Sequence, residues 1–229
     1  MERLAEGDRP APAVLPPPIR SVLLPLATAA ALLVLVLGLR YAGAGLPGRL
    51  DARLLAAVEG TGARTRHLAV AVDFLGEPLG AATLIAAVVA GCLLLRRPRA
   101  AVLVVAGVGA AVLATRVLKH LVGRTIHGDG NLSYPSGHTA FLTALALVAV
   151  LLAVGRSRLG RAAGTSLVLL AALLAGAVMG WAQVVLSAHY PTDALGGWFT
   201  ALAVVPVTAW TVDRVADSAR RGRSGRPPV

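Results

Sequence analysis

The sequence predicts an all-α integral membrane protein, six transmembrane helices in a bundle, with an active site at the outer membrane face. Three observations carry this. Hydrophobic residues make up 56% of the chain and charged residues only 14%, with a mean hydropathy of +0.74, far more apolar than an average soluble domain. Six runs, 22–39, 79–95, 101–115, 140–154, 162–186 and 194–212, approach or reach the roughly 20 apolar residues that cross a bilayer as helix. Arginines crowd into alternate connections between those runs. Lipid offers no partner for backbone N–H and C=O groups, so segments this long and this rich in Ala, Leu and Val are read as helices.

The first run is followed by Tyr41-Ala42-Gly43-Ala44, whose small residues suit a signal cleavage point. Its apolar core exceeds the usual 7 to 15 residues of a signal, so it is read as an uncleaved anchor. Segment 42–78 places Leu54, Leu55 and Val58, then Leu68, Val70, Val72 and Leu75, at patches of helical spacing among Asp51, Arg53 and Glu59. Two readings stay open for its first half: an amphipathic cap along the interface, or a solvated loop. Gly76, Pro78 and Gly80 mark a bend into the second run. The lone cysteine, Cys92, lies inside that run and has no internal disulfide partner; it reads as a small packing residue. The domain division expected is a disordered N-terminus over 1–20, a membrane domain over 21–213 and a disordered basic tail over 214–229.

Arg96, Arg97 and Arg99, then Arg156, Arg158 and Arg161, and finally the tail with Arg214, Arg220, Arg221, Arg223 and Arg226 fall on one side if six helices alternate. By the positive-inside rule that side is cytoplasmic, which puts both termini there in a multi-pass cell-membrane protein. The net charge of +11 is then mostly a topology signal. Nucleic-acid binding is set aside, because the arginines are split among short loops without interleaved aromatics. The same alternation sends segments 119–138 and 189–193 to the outer face, so two polar loops converge there.

Those loops carry the chemistry. Ser136 is a good N-cap for the fourth run, leaving the N–H groups of Gly137, His138 and Thr139 directed outward. Such a helix start attracts anions, and Gly137 allows close approach to the backbone. An ordinary loop-to-helix transition is the rival reading of this stretch. In the second loop Pro191 suits a first helical turn and Asp193 suits the positive helix end. His189 precedes Asp193 by four residues, a spacing that lets the carboxylate fix one imidazole nitrogen and leave the other as nucleophile or base. Simple capping by Asp193 is the alternative. Lys119 is the only lysine in the chain and stands at the outer end of the third run.

With these residues in view, the chain resembles the type 2 phosphatidic acid phosphatase family, the lipid phosphatase branch of the vanadium haloperoxidase superfamily. The resemblance rests on Lys119, on Pro135-Ser136-Gly137-His138, and on His189 with Asp193, and it covers roughly 51–210. It implies a metal-independent phosphatase with no cofactor that hydrolyses a phosphate ester or diphosphate of a lipid, phosphatidic acid-like or polyprenyl. His189 would attack phosphorus to form a phosphohistidine, Asp193 would orient it, and His138 would protonate the leaving group. Lys119, Ser136 and Gly137 would bind the phosphate oxygens.

Two departures stand out. The family's Arg-Pro after Lys119 is Ile126-His127 here, and the arginine six residues before His189 is Gln183, preceded by Ala182 instead of serine. Arg124 and Gln183 are taken as substitute phosphate ligands, although a neutral hydrogen bond is worth roughly half a charged one. A degenerate relative that binds anionic phospholipids without hydrolysis is the alternative function. Neither the lipid nor the oligomeric state is legible; Gly176 and Gly180 would suit close helix contact within or between chains.

Overall fold

The computed structural model describes residues 13–157 and 159–224. Among these residues eight helices run in the order α1 (Pro17–Arg40), α2 (Arg49–Val58), α3 (Ala63–Asp73), α4 (Pro78–Leu94), α5 (Pro98–Val122), α6 (Gly137–Val154), α7 (Arg161–Val185) and α8 (Pro191–Ser224). No strand is present among the described residues, only an isolated bridge between Thr125 and Leu132. By length and composition α1, α5, α6, α7 and α8 can each cross a membrane, and the count reaches six if α3 and α4, bent by 54° at a short break, are taken as one span. Segment 42–78 is helical over 49–58 and 63–73, so its first half is not an irregular loop.

The core is aliphatic and layered between α1, α5, α6, α7 and α8. Leu103 and Val104 of α5, Leu147 and Leu151 of α6, Val168 of α7 and Val205 of α8 are all buried within it, as is Cys92. Leucines and valines such as Leu35, Leu94, Leu113 and Leu173 point outward and are exposed, the surface expected where the solvent is lipid. Small residues let helices close up: Gly176 of α7 lies against the Trp198 ring, whose Nε1 donates to Ala172 O at 2.8 Å, and Gly180 lies against Ala194. These glycines serve contacts inside the chain.

One end of the bundle gathers the basic connections. There Asp213 of α8 accepts from the N–H groups of Val14 and Leu15, both at 2.9 Å, and Arg99 pairs with Asp217 at 2.9 Å. These contacts correct the expected division at both ends. Residues 13–16 are pinned to α8, α1 starts at Pro17 because proline suits a first helical turn, and α8 continues through 214–224. The rest of the expectation, for 1–12 and 225–229, lies outside the described residues. The opposite end holds α2, α3 and the two motif loops.

Candidate functional site

The site is built on two helix starts packed against each other. Ser136 caps α6: its Oγ accepts from Thr139 N at 3.4 Å and from Thr139 Oγ1 at 3.1 Å. Ser136 N donates to Asp193 O at 2.9 Å, which ties the start of α6 to the first turn of α8. Gly197 makes this approach possible, since a Cβ there would collide with Ser136 O. The contact brings His138 of one loop and His189 and Asp193 of the other to the same end of the bundle.

His189 sits in the turn between α7 and α8 and is only 8% exposed. Its Nδ1 faces Asp193 Oδ2 at 3.6 Å, longer than a hydrogen bond, and has no closer partner. Burial pushes the imidazolium pKa down; Asp193 pulls it up, while the positive charge of Lys119 adds to the lowering. His189 is thus held neutral with Nε2 free, the state a nitrogen nucleophile requires.

Asp193 is fully engaged. Oδ2 accepts from Tyr190 N at 3.0 Å, and Oδ1 accepts from Arg124 Nη1 at 2.6 Å. The Arg124 guanidinium also donates to Thr192 Oγ1 at 2.6 Å and, through Nη2, to Asp51 Oδ2 at 2.7 Å. It is sandwiched between the rings of Tyr41 and Tyr190, 4.0 and 4.4 Å from their centroids. Asp51, from the cap helix α2, further accepts from Thr192 N and Thr192 Oγ1, both at 2.9 Å, and from Gly48 N at 3.2 Å. Arg124 and both its carboxylate partners have no exposed side-chain surface. This corrects the expectation that Arg124 binds phosphate: its charge is committed to Asp51 and Asp193, and it acts as the clamp that holds the loops together.

Gln183 is corrected likewise. It is buried, and its Nε2 donates to Asp73 Oδ1 at 2.6 Å, so its one good donor is turned to the cap. Ala69 of α3 packs with Ala182 and Val185 of α7, seating α3 so that Asp73 reaches this position. Asp73 and Glu77 flank the α3–α4 bend, with Asp73 Oδ1 3.6 Å and Glu77 Oε1 3.5 Å from His138 Nε2. Gly76 lies directly on the His138 ring, where a Cβ would clash. The carboxylates and imidazole offer three ligand atoms within 4.8 Å of one another, a group of a kind that can hold a cation.

Lys119 stands at the last turn of α5, and its Nζ donates to Leu132 O at 2.6 Å and Ser133 O at 3.3 Å. It braces the loop that delivers Ser136 and lies near enough to His189 to act on its charge. Ser136 is buried and Gly137 half-buried. His127, where the resemblance would place a proline, donates from Nε2 to the Ser187 carbonyl oxygen at 2.7 Å. It thereby links the two motif loops at the surface.

Asp51, Asp73, Glu77, Tyr41 and Thr192 escaped the sequence reading as site residues. The usable signal was scarcity: the chain has only 11 acidic residues, and four of them, Asp51, Glu59, Asp73 and Glu77, lie in the one amphipathic segment on the side of the motif loops. Beside the site, an apolar groove of about 400 Å³ runs between α2, α7 and α8, lined by Leu54, Val58, Trp181, Pro191 and Trp198 among others.

A family profile described as the PAP2 superfamily matches residues 100–217. Among solved structures, the crystal structure of the first transmembrane PAP2 type phosphatidylglycerolphosphate phosphatase from Bacillus subtilis is similar, with a TM-score of 0.65 and 20% identity over 82% of this chain and 96% of that one. At this identity the likeness is one of fold. No curated protein matches the sequence.

Proposed function

Because the chain belongs to the PAP2 superfamily, we propose that it is an integral membrane lipid phosphatase working through a phosphohistidine on His189. The observation that carries this is the buried imidazole itself: neutral, unpartnered, backed by the Asp193 carboxylate and facing the end of the bundle where the α6 helix start and Lys119 meet. Binding alone needs no such nucleophile.

In the proposed reaction His189 Nε2 attacks phosphorus as the bond to the lipid oxygen breaks. His138 gives its proton to that oxygen, and Asp193 Oδ2 balances the charge on the phosphorylated ring. Water, deprotonated by His138, then attacks phosphorus, the N–P bond breaks and phosphate leaves. The N–H groups at the start of α6 and the Lys119 ammonium bind the non-bridging oxygens, donors set in place before the charge develops. Ser136 supports them as the cap. No step calls for a metal ion or cofactor. The substrate is a phosphate ester or diphosphate of a lipid, and the apolar groove beside Pro191 has the volume and lining expected for part of its tail.

The basic end of the bundle is assigned to the cytoplasm with both termini, which puts the site on the outer face. The test is phosphate release by detergent-purified protein from lipid phosphates, in chelator, beside His189→Ala. Release that persists in chelator and disappears in the variant, with a ³²P label retained on the wild-type chain after acid-free quench, is expected. Release that survives His189→Ala rules out the assigned nucleophile.

A further inference from the structure

We propose that Asp73 and Glu77 select the leaving group, making this site a phosphomonoesterase that discriminates against lipid diphosphates. The inference rests on the proposed role of His138 as the leaving-group acid. To give its proton, His138 must lie about 2.6–3.2 Å from the departing oxygen. Its Nε2 is 3.6 Å from Asp73 Oδ1 and 3.5 Å from Glu77 Oε1, so whatever departs past His138 does so beside two carboxylates.

Among the described residues His138 is the only cationic side chain that pairs with either acid. Gln183 stands where the resemblance leads one to expect an arginine, and it pins Asp73 at 2.6 Å without neutralising it. Ile126, at the other expected arginine, is apolar and buried. Arg124 is bound to Asp51 and Asp193, and Lys119 to the Leu132 and Ser133 carbonyls.

The consequence depends on what leaves. From a lipid monophosphate the departing group is an alcohol, neutral once His138 has protonated it, and hydroxyl groups on a head group would donate to the carboxylates. From a lipid diphosphate attacked at its terminal phosphorus, the departing group is a lipid monophosphate anion. Its charge would develop against Asp73 and Glu77, and like charges a few ångströms apart near a protein surface repel strongly.

The experiment compares kcat/KM for a monophosphate and a diphosphate on the same lipid tail, diacylglycerol or polyprenol, using the full chain in detergent with chelator so that no added cation screens the acids. Wild type is expected to favour the monophosphate by about tenfold, an effect between those of one like charge about 4 Å away in bulk water and near a protein surface. Glu77→Gln, at an exposed position that leaves the bundle intact, should shift the diphosphate-to-monophosphate ratio about tenfold toward the diphosphate, and Asp73→Asn should shift it the same way. Equal use of both lipids by wild type, or variants that change both rates in proportion, overturns the selection role while leaving the phosphatase reading standing. No release from either lipid by a folded sample overturns both.

Discussion

Replacing Asp51 by alanine should loosen the whole outer end of the molecule, although Asp51 touches no substrate. Its carboxylate accepts four hydrogen bonds, from Arg124 Nη2, Thr192 N, Thr192 Oγ1 and Gly48 N, and is fully buried. Without it the Arg124 guanidinium keeps only Asp193 as counter-charge, and the Thr192 amide at the start of α8 loses its acceptor. Removing one partner of a buried ion pair costs about 3–5 kcal/mol, because the other is left uncompensated. For a chain of this size that corresponds to a fall in unfolding midpoint of about 6–20 °C. Thermal unfolding in detergent, followed by tryptophan fluorescence, measures it. Activity should fall through kcat, since Arg124 would be drawn further toward Asp193 and the carboxylate behind His189 displaced. Asp51→Asn, which retains an acceptor but not the charge, should lie between. A midpoint within about 2 °C of wild type, with unchanged kcat, would refute the argument that this ion network holds the loops together.

Two further outcomes follow from the site. Gly76→Ala puts a methyl into the His138 ring; a misplacement near 1 Å is worth about a hundredfold in rate, so kcat should drop by that order while the unfolding midpoint moves by only a few degrees, and near-normal turnover would show that the bend does not hold His138. Burial keeps the His189 imidazolium pKa below its ordinary value near 6.5, against the pull of Asp193, so NMR titration of labelled histidine should find its midpoint below that of the unfolded chain. The sign for stability is then set: His189's contribution is complete above about pH 6.5 and is lost as pH falls from there toward the lower folded value, because the unfolded chain takes up the proton first. A midpoint at or above the unfolded value contradicts this.

The membrane class and the pairing of the two motif loops were legible because they depend on local composition and alternation. Long apolar runs have one solution in lipid, and arginine placement sorts their ends. The helix start at Ser136 and the spacing of His189 and Asp193 are likewise short-range patterns, and the structure keeps both. The fate of individual charges was not legible. Arg124 reads in sequence as a free cation two residues from a missing arginine, yet it is buried against Asp51, 73 residues away, and Asp193, 69 residues away. Gln183 is turned toward Asp73, 110 residues distant. Whether a polar side chain meets substrate or another residue is decided by which helices pack together, and here the cap helices α2 and α3, seated on α7 and α8, made that choice. By itself the sequence determined that two histidines and an aspartate would meet at one end of a helical membrane bundle. The tertiary structure alone decided that the nearby arginine would be spent on holding them, and that two carboxylates would stand beside His138, because burying a charge is tolerable only where the fold supplies its partner.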